Sequence, residues 1–118
     1  MERELLTMES ELENLVTNYN FQPTDRKYFV EEGERPYSTT LQSGPILQLT
    51  QLISYRRYGI LINAVTINMM SVATMRKVIW HADSKNHSLS LVRFWGDYEG
   101  AVLTFKHLGA LTAKPTRR

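Results

Sequence analysis

Four consecutive residues near the middle of the chain, Tyr55-Arg56-Arg57-Tyr58, place two guanidinium groups between two phenol rings. Guanidinium groups form paired hydrogen bonds with phosphates, and aromatic rings stack on unpaired nucleobases, so this run could bind a nucleic acid. Arginines at the end of a helix also offset the negative end of its dipole, and that structural role is the alternative. Under the first interpretation, the candidate contacts include further cationic residues: Arg76, Lys77, Arg93 and Lys106.

Two tryptophans, Trp80 and Trp95, lie on adjacent predicted strands. Indole rings can stack on bases and so extend a nucleic-acid surface. Large aromatic side chains in a small domain more often fill its core, and that interpretation stays open beside the first.

No arrangement typical of an enzyme occurs in the sequence. Cysteine is absent, which excludes disulfides and thiolate chemistry, and the glycines form neither a phosphate-binding loop nor a nucleophile elbow. His81, Asp83 and His87 cluster around one predicted hairpin, but the two histidines are expected on opposite faces of it. We therefore expect a non-enzymatic protein with no catalytic residue, no cofactor and no metal.

Two features of the sequence resemble those of known proteins. The tetrapeptide Lys77-Val78-Ile79-Trp80 is similar to the docking motif by which regulators bind protein phosphatase 1. Such motifs usually occupy flexible segments, whereas these residues are predicted to form a strand, so the resemblance does not predict docking. The lack of cysteine and the Ser- and Thr-rich composition resemble those of small accessory proteins of viruses.

The first 20 residues predict a helix with one apolar stripe. Its members recur at spacings of three and four: Leu5, Met8, Leu12, Leu15 and Tyr19. This is the a/d pattern by which helices pack together, and it covers fewer than three heptads. Either the stripe packs on the chain's own sheet, or it pairs with a second copy. The same five residues are therefore the candidate surface for self-association as a homodimer or a higher homo-oligomer.

Residues 43–59 predict a second helix. Ser43 is a suitable N-cap, Pro45 fits the first turn, and Gly59 suits the left-handed conformation that often follows a helix. A strand is the alternative for 44–57, although Gln51 interrupts the alternation of apolar residues that a strand requires. The segments before it are predicted to be a loop at 21–25, a short edge strand at 27–31, and extended or irregular chain at 37–42.

The second half of the chain predicts strands separated by turns. Four segments are rich in β-branched and aromatic residues: 60–70, 75–82, 88–95 and 101–108. Short connections favour an antiparallel meander. The predicted fold class is α+β, with two helices packed on a four-stranded antiparallel sheet, or a five-stranded one if the edge strand joins it. We expect a single domain over 1–118, with these parts in order: an acidic helix (1–20), loop, strand and helix (21–59), the sheet (60–109), and a basic tail (110–118).

Charge is distributed unevenly along the chain. Residues 1–34 have a formal net charge of −6 and residues 35–118 one of +8, although the total is only +2. A basic region suggests an anionic partner, whereas charge pairing between copies, or within one fold, would use the asymmetry for assembly or stability.

These observations favour a nucleic-acid-binding protein, with RNA more expected than DNA, that acts as a dimer. The alternative is a protein-interaction or particle-assembly subunit in which the acidic helix of one copy docks on the basic sheet of another. No membrane partner is expected, because no stretch of the sequence has the ~20 apolar residues needed to cross a bilayer. The expected location is the cytoplasm, or the host cytoplasm or nucleus for a viral protein.

Overall fold

The structure is a computed structural model that describes residues 2–27, 33–75, 91–93, 95, 103–104 and 112–113. The chain divides into two compact units. The first combines Met1–Arg26 with Tyr37–Met69, and the second combines Lys27–Pro36 with Met70–Arg118. The expectation of a single domain stays a prediction.

The predicted N-terminal helix is confirmed as α1, Glu2–Thr17. Leu5 and Leu12, two positions of the apolar stripe, are buried. Side chains at its C-terminal end bond to the backbone one turn earlier: the Thr17 hydroxyl donates to the Glu13 carbonyl at 2.8 Å, and the Asn18 amide donates to the Asn14 carbonyl at 2.9 Å. These bonds satisfy carbonyl groups in the last turns of α1, which ends at Thr17.

The second helix, α2, spans Pro45–Tyr58, so the helical interpretation is confirmed and the strand alternative is wrong. Gly59 follows it at φ 67° and ψ 21°, and its N–H donates to the Tyr55 carbonyl at 2.8 Å, as the sequence predicted. The predicted N-cap, Ser43, is wrong by one residue. Gly44 holds that position at φ 94° and ψ 178°, a conformation that only glycine adopts without strain.

The four-stranded meander is wrong. The first unit contains a two-stranded antiparallel sheet of β1 (Tyr37–Leu41) and β2 (Val65–Met69). In its register Leu41 faces Val65 and Thr39 faces Ile67. Strand β2, part of the segment predicted as the first strand of a meander, therefore pairs with residues that precede α2 in the sequence. Those residues form β1, and they were expected to be extended or irregular.

Other predicted strands also need correction where the structure describes them. Met75, expected to begin a strand, ends the short helix α3 (Val72–Met75). Residues 91–93 are not in a strand. Leu103–Thr104 form β3, which pairs with β4 (Thr112–Ala113), so part of the expected basic tail is strand. Residues 60–64, 70 and 95, also predicted to lie in strands, are described and are not in one. The other parts of the predicted strands, including 28–31 of the edge strand, lie outside the described residues.

In the first unit α1 packs on α2, and α2 packs on β2. The buried apolar residues come from these elements: Leu5, Leu12, Ile46, Leu47, Ile53 and Ile67. The amide of Gln51, which disfavoured a strand in the sequence, donates to the Ile62 carbonyl at 2.9 Å and fastens the loop between α2 and β2.

An aromatic ladder holds the segment after α1 against β1. The Tyr19 and Phe21 rings meet edge to face at 4.8 Å, and Phe21 stacks on Tyr37 at 5.2 Å. The Arg26 guanidinium lies 3.7 Å from the centre of the Tyr37 ring. Between Phe21 and Arg26 in the sequence, Pro23–Asp25 form a 3₁₀ turn. These contacts hold the segment that follows α1 against β1, and so help to keep α1 packed on α2.

The second unit is described over shorter segments. The Ser71 hydroxyl accepts the Thr74 N–H at 3.1 Å at the start of α3. The Thr74 hydroxyl donates to the Glu34 carbonyl at 3.3 Å, which links α3 to the chain before β1.

Candidate nucleic-acid interface

The Tyr55–Tyr58 run forms the last turn of α2, beside the first turns of α1. Tyr55 and Tyr58 are exposed, at 56% and 63% of their full surface. Their rings are therefore accessible to a ligand. Both arginines lie where cations offset the helix dipole, which agrees with the structural alternative. The contacts of Arg56 and Arg57 distinguish the two residues.

Arg57 is held by two glutamates of α1. Its Nε donates to Glu9 Oε1, and its Nη2 lies 3.2 Å from Glu2 Oε1. Arg57 and Glu9 are both half-buried. The hydrogen bond to Glu9, with a further contribution from Glu2, raises the pKa of Arg57 above its ordinary value. Because the pKa of Arg57 is raised in the folded state, its charged form stabilises the fold at neutral pH, and this contribution is lost as the pH rises through that pKa in strong alkali. The arrangement makes Arg57 a structural residue.

Arg56 is more weakly held. Its Nη1 lies 3.3 Å from Glu4 Oε2, and the two side chains are 35% and 69% exposed. Ion pairs between exposed side chains contribute little, because water solvates both charges and the pair restricts two long side chains. The Arg56 guanidinium can therefore exchange Glu4 for another anion at small cost, whereas Arg57 cannot exchange both of its partners so readily.

An open depression of about 750 Å³ lies between the N-terminal turns of α1 and the end of α2. Its lining residues are Arg3, Glu4, Thr7, Met8 and Arg56. Two guanidinium groups and one carboxylate give the lining a formal charge of +1. Arg3 forms no ion pair with any residue that the structure describes. Chemically, the depression is lined by two guanidinium groups, which suit an anionic ligand.

The sequence did not single out Arg3 and Glu4 as site residues. They belong to a helix that was interpreted as acidic and as a surface for self-association. The signal was present in the charge pattern, because acidic residues begin α1 and basic residues end α2. The three ion pairs between these ends show that some of the charge asymmetry is neutralised within one chain.

The other predicted contacts are not brought to this depression by any described geometry. Arg93 belongs to the second unit and is exposed, with its guanidinium 5.8 Å from the centre of the Trp95 ring. The remaining cationic candidates lie outside the described residues: Arg76, Lys77 and Lys106. The other tryptophan, Trp80, and the predicted cluster of His81, Asp83 and His87 also lie outside them. Within the described ranges, no group of three or more His, Asp or Glu side chains could hold a metal ion.

The predicted self-association stripe is partly used within the chain. Leu5 and Leu12 are buried, whereas the other members are half-buried: Met8, Leu15 and Tyr19. Pairing with a second copy through the two leucines would require α1 to leave its place. Self-association through this stripe stays a prediction.

Known proteins provide no further guide to the site. No helix in the described segments is long and apolar enough to cross a bilayer. Comparison with protein-family models, with curated proteins and with solved structures found no match to this chain.

Proposed function

We propose that this protein is a non-enzymatic nucleic-acid-binding protein that takes single-stranded RNA in preference to DNA. One observation carries the proposal: the depression between α1 and α2 presents Arg3 and Arg56, and exposed Tyr55 and Tyr58 flank Arg56 in sequence. The proposed setting is the cytoplasm, where RNA is the abundant single-stranded ligand.

In the proposed complex, a backbone phosphate lies between the Arg3 and Arg56 guanidinium groups. Arginine forms charge-assisted, two-point hydrogen bonds with phosphate oxygens, so two arginines can hold one phosphate firmly. Neighbouring bases stack on Tyr55 or Tyr58, which contributes about 1–3 kcal/mol per base in other proteins. Stacking of this kind requires unpaired bases, and this requirement is the reason for proposing a single strand.

Binding of labelled single-stranded RNA, followed by fluorescence anisotropy at 50 mM salt, tests this proposal. We expect Arg56→Gln to weaken binding, whereas Arg57→Gln, a matched loss of the neighbouring charge, lowers thermal stability with a smaller effect on affinity. Tyr55→Leu keeps an apolar side chain without a ring, and it is expected to weaken binding about fivefold or more, in line with the loss of one stacked base. Absence of binding by the wild-type protein at low salt contradicts the proposal.

We propose self-association as a second candidate function, with a second copy of the chain as the partner. Leu52 is 41% exposed, and it lies one and two turns before the exposed Tyr55 and Tyr58 on α2. Tyrosine is enriched in protein interfaces, and this stripe places two tyrosines beside a leucine. Light scattering across a range of concentrations tests the idea. We expect a dimer that Leu52→Asp converts to monomer, and a wild-type monomer at every concentration refutes it.

A further inference from the structure

The anion that Arg56 holds in the structure comes from the chain itself. Glu4 Oε2 lies 3.3 Å from Arg56 Nη1, and both residues line the depression. A carboxylate and a phosphate present similar pairs of oxygens to a guanidinium group. Glu4 therefore occupies the position at Arg56 that a phosphate would take.

We propose that Glu4 is an intramolecular competitor that limits the affinity of the depression for nucleic-acid phosphates. The inference rests on the proposed function and adds a regulatory residue to the same site. When a phosphate arrives, Glu4 releases Arg56 and turns toward solvent, which its 69% exposure permits. The protein then binds RNA more weakly than its arginines alone would allow, and release of RNA is correspondingly easier.

The size of the effect follows from the charge of Glu4. A carboxylate displaced from Arg56 stays on the first turn of α1, and we take its separation from the bound phosphate as about 6 Å. At this separation in a water-like dielectric, the repulsion alone weakens binding about threefold, and the lower dielectric near a protein surface increases the factor. Removal of the charge also leaves Arg56 without its competing partner. We expect a total gain of about three- to tenfold when Glu4 becomes neutral.

Glu2 provides a matched control, because it has the same charge, belongs to the same first turn and is exposed to a similar extent, 65% against 69%. Its partner is Arg57, and it does not line the depression. Glu4→Gln and Glu2→Gln change the net charge equally, so any general attraction to a polyanion rises equally in both. At physiological salt, screening is expected to limit the effect of the Glu2 substitution to roughly twofold or less.

The experiment measures the affinity of a labelled single-stranded RNA for the full chain and its variants, with circular dichroism to confirm folding. We expect Glu4→Gln to bind three- to tenfold more tightly than wild type, Glu2→Gln to change affinity by less than twofold, and the charge-retaining Glu4→Asp to stay near wild type. In an Arg56→Gln background, the gain from Glu4→Gln should be clearly smaller than in the wild-type background, because no guanidinium remains for Glu4 to occupy and only its repulsion of the phosphate is removed.

Three other outcomes would overturn the competitor role of Glu4, and a fourth would overturn the proposed function as well. Equal gains for Glu4→Gln and Glu2→Gln show a general charge effect and overturn the competitor role, while RNA binding itself stands. An unchanged or weaker affinity of folded Glu4→Gln also overturns it. A gain that is as large without Arg56 as with it moves the effect away from this ion pair and rejects the inference. If neither wild type nor Glu4→Gln binds RNA at low salt, the proposed function fails together with the inference.

Discussion

Truncation of Leu5 is expected to destabilise the protein far more than truncation of its neighbour Leu6. Both leucines lie in the first turns of α1, but Leu5 is 5% exposed and Leu6 is 55% exposed. Leu→Ala removes three carbon groups, worth about 2.4 kcal/mol at Leu5, where nearly all of the side chain is buried. The cavity left behind raises the expected loss to about 2–4 kcal/mol. The same substitution at Leu6 is expected to cost about 1 kcal/mol, because half of that side chain already contacts water.

Urea denaturation followed by circular dichroism measures both losses in the free energy of unfolding. Helix propensity does not distinguish the variants, since both replace leucine with alanine in the same helix. Equal destabilisation by Leu5→Ala and Leu6→Ala would refute the packing of α1 through its apolar stripe. Dependence of the Leu5→Ala loss on protein concentration would instead show that the stripe packs between copies.

Two further pairs of variants test the ends of α2 and its connection to β2. Gln51→Ala removes the hydrogen bond to the Ile62 carbonyl and should lower the free energy of unfolding by about 0.5–1.5 kcal/mol. Gln48 lies on the exposed side of the same helix, and Gln48→Ala should change the free energy of unfolding by less than about 0.5 kcal/mol. Similar losses for both, measured in urea, would contradict the role of that bond. Gly59→Ala should cost about 1 kcal/mol from backbone strain alone, because no atom lies within 4 Å of the added Cβ. Gly44→Ala should cost more, up to about 3 kcal/mol, since its φ of 94° with ψ near 180° is open only to glycine. The reverse order of melting temperatures would contradict the backbone assignment at these two glycines.

Local patterns predicted the helices well, because a helix is specified by residues near one another in sequence. Apolar spacing predicted α1, and Pro45 and Gly59 correctly bounded α2. The N-cap was assigned to Ser43 from its side chain, whereas the unusual dihedrals of Gly44 show that backbone freedom decided the start of the helix. Side-chain capping is only one of the ways in which a helix end can be stabilised.

Strand pairing could not be predicted from the same patterns. The turn residues after Met70 favoured local hairpins, yet β2 pairs with Tyr37–Leu41, from which it is separated by the whole of α2. Strand β1 has the sequence YSTTL, which shows no alternation of apolar and polar residues. Its pairing is stabilised by contacts that no local window contains, such as the 2.9 Å hydrogen bond between the Thr40 and Thr66 hydroxyls.

The candidate site was predicted in part for the same reason. The Tyr55–Tyr58 run was visible because its four residues are consecutive, and the alternative of a structural role applies best to Arg57. The contributions of Arg3 and Glu4 depend on α1 packing beside the end of α2, about 50 residues away in sequence. The packing of α1 on α2 therefore gives two adjacent arginines different roles: Arg57 is structural, and Arg56 is a candidate ligand contact.

The salt dependence of RNA binding tests the central claim most directly. Each phosphate contact to a single strand contributes about −0.7 to the slope of log K against log salt. Wild type is expected to bind single-stranded RNA at 50 mM salt, and Arg56→Gln to flatten the slope by about 0.7 relative to it, while Arg57→Gln leaves the slope unchanged. No binding by the wild-type protein, or the same slope for wild type and Arg56→Gln, would contradict an RNA site at Arg56.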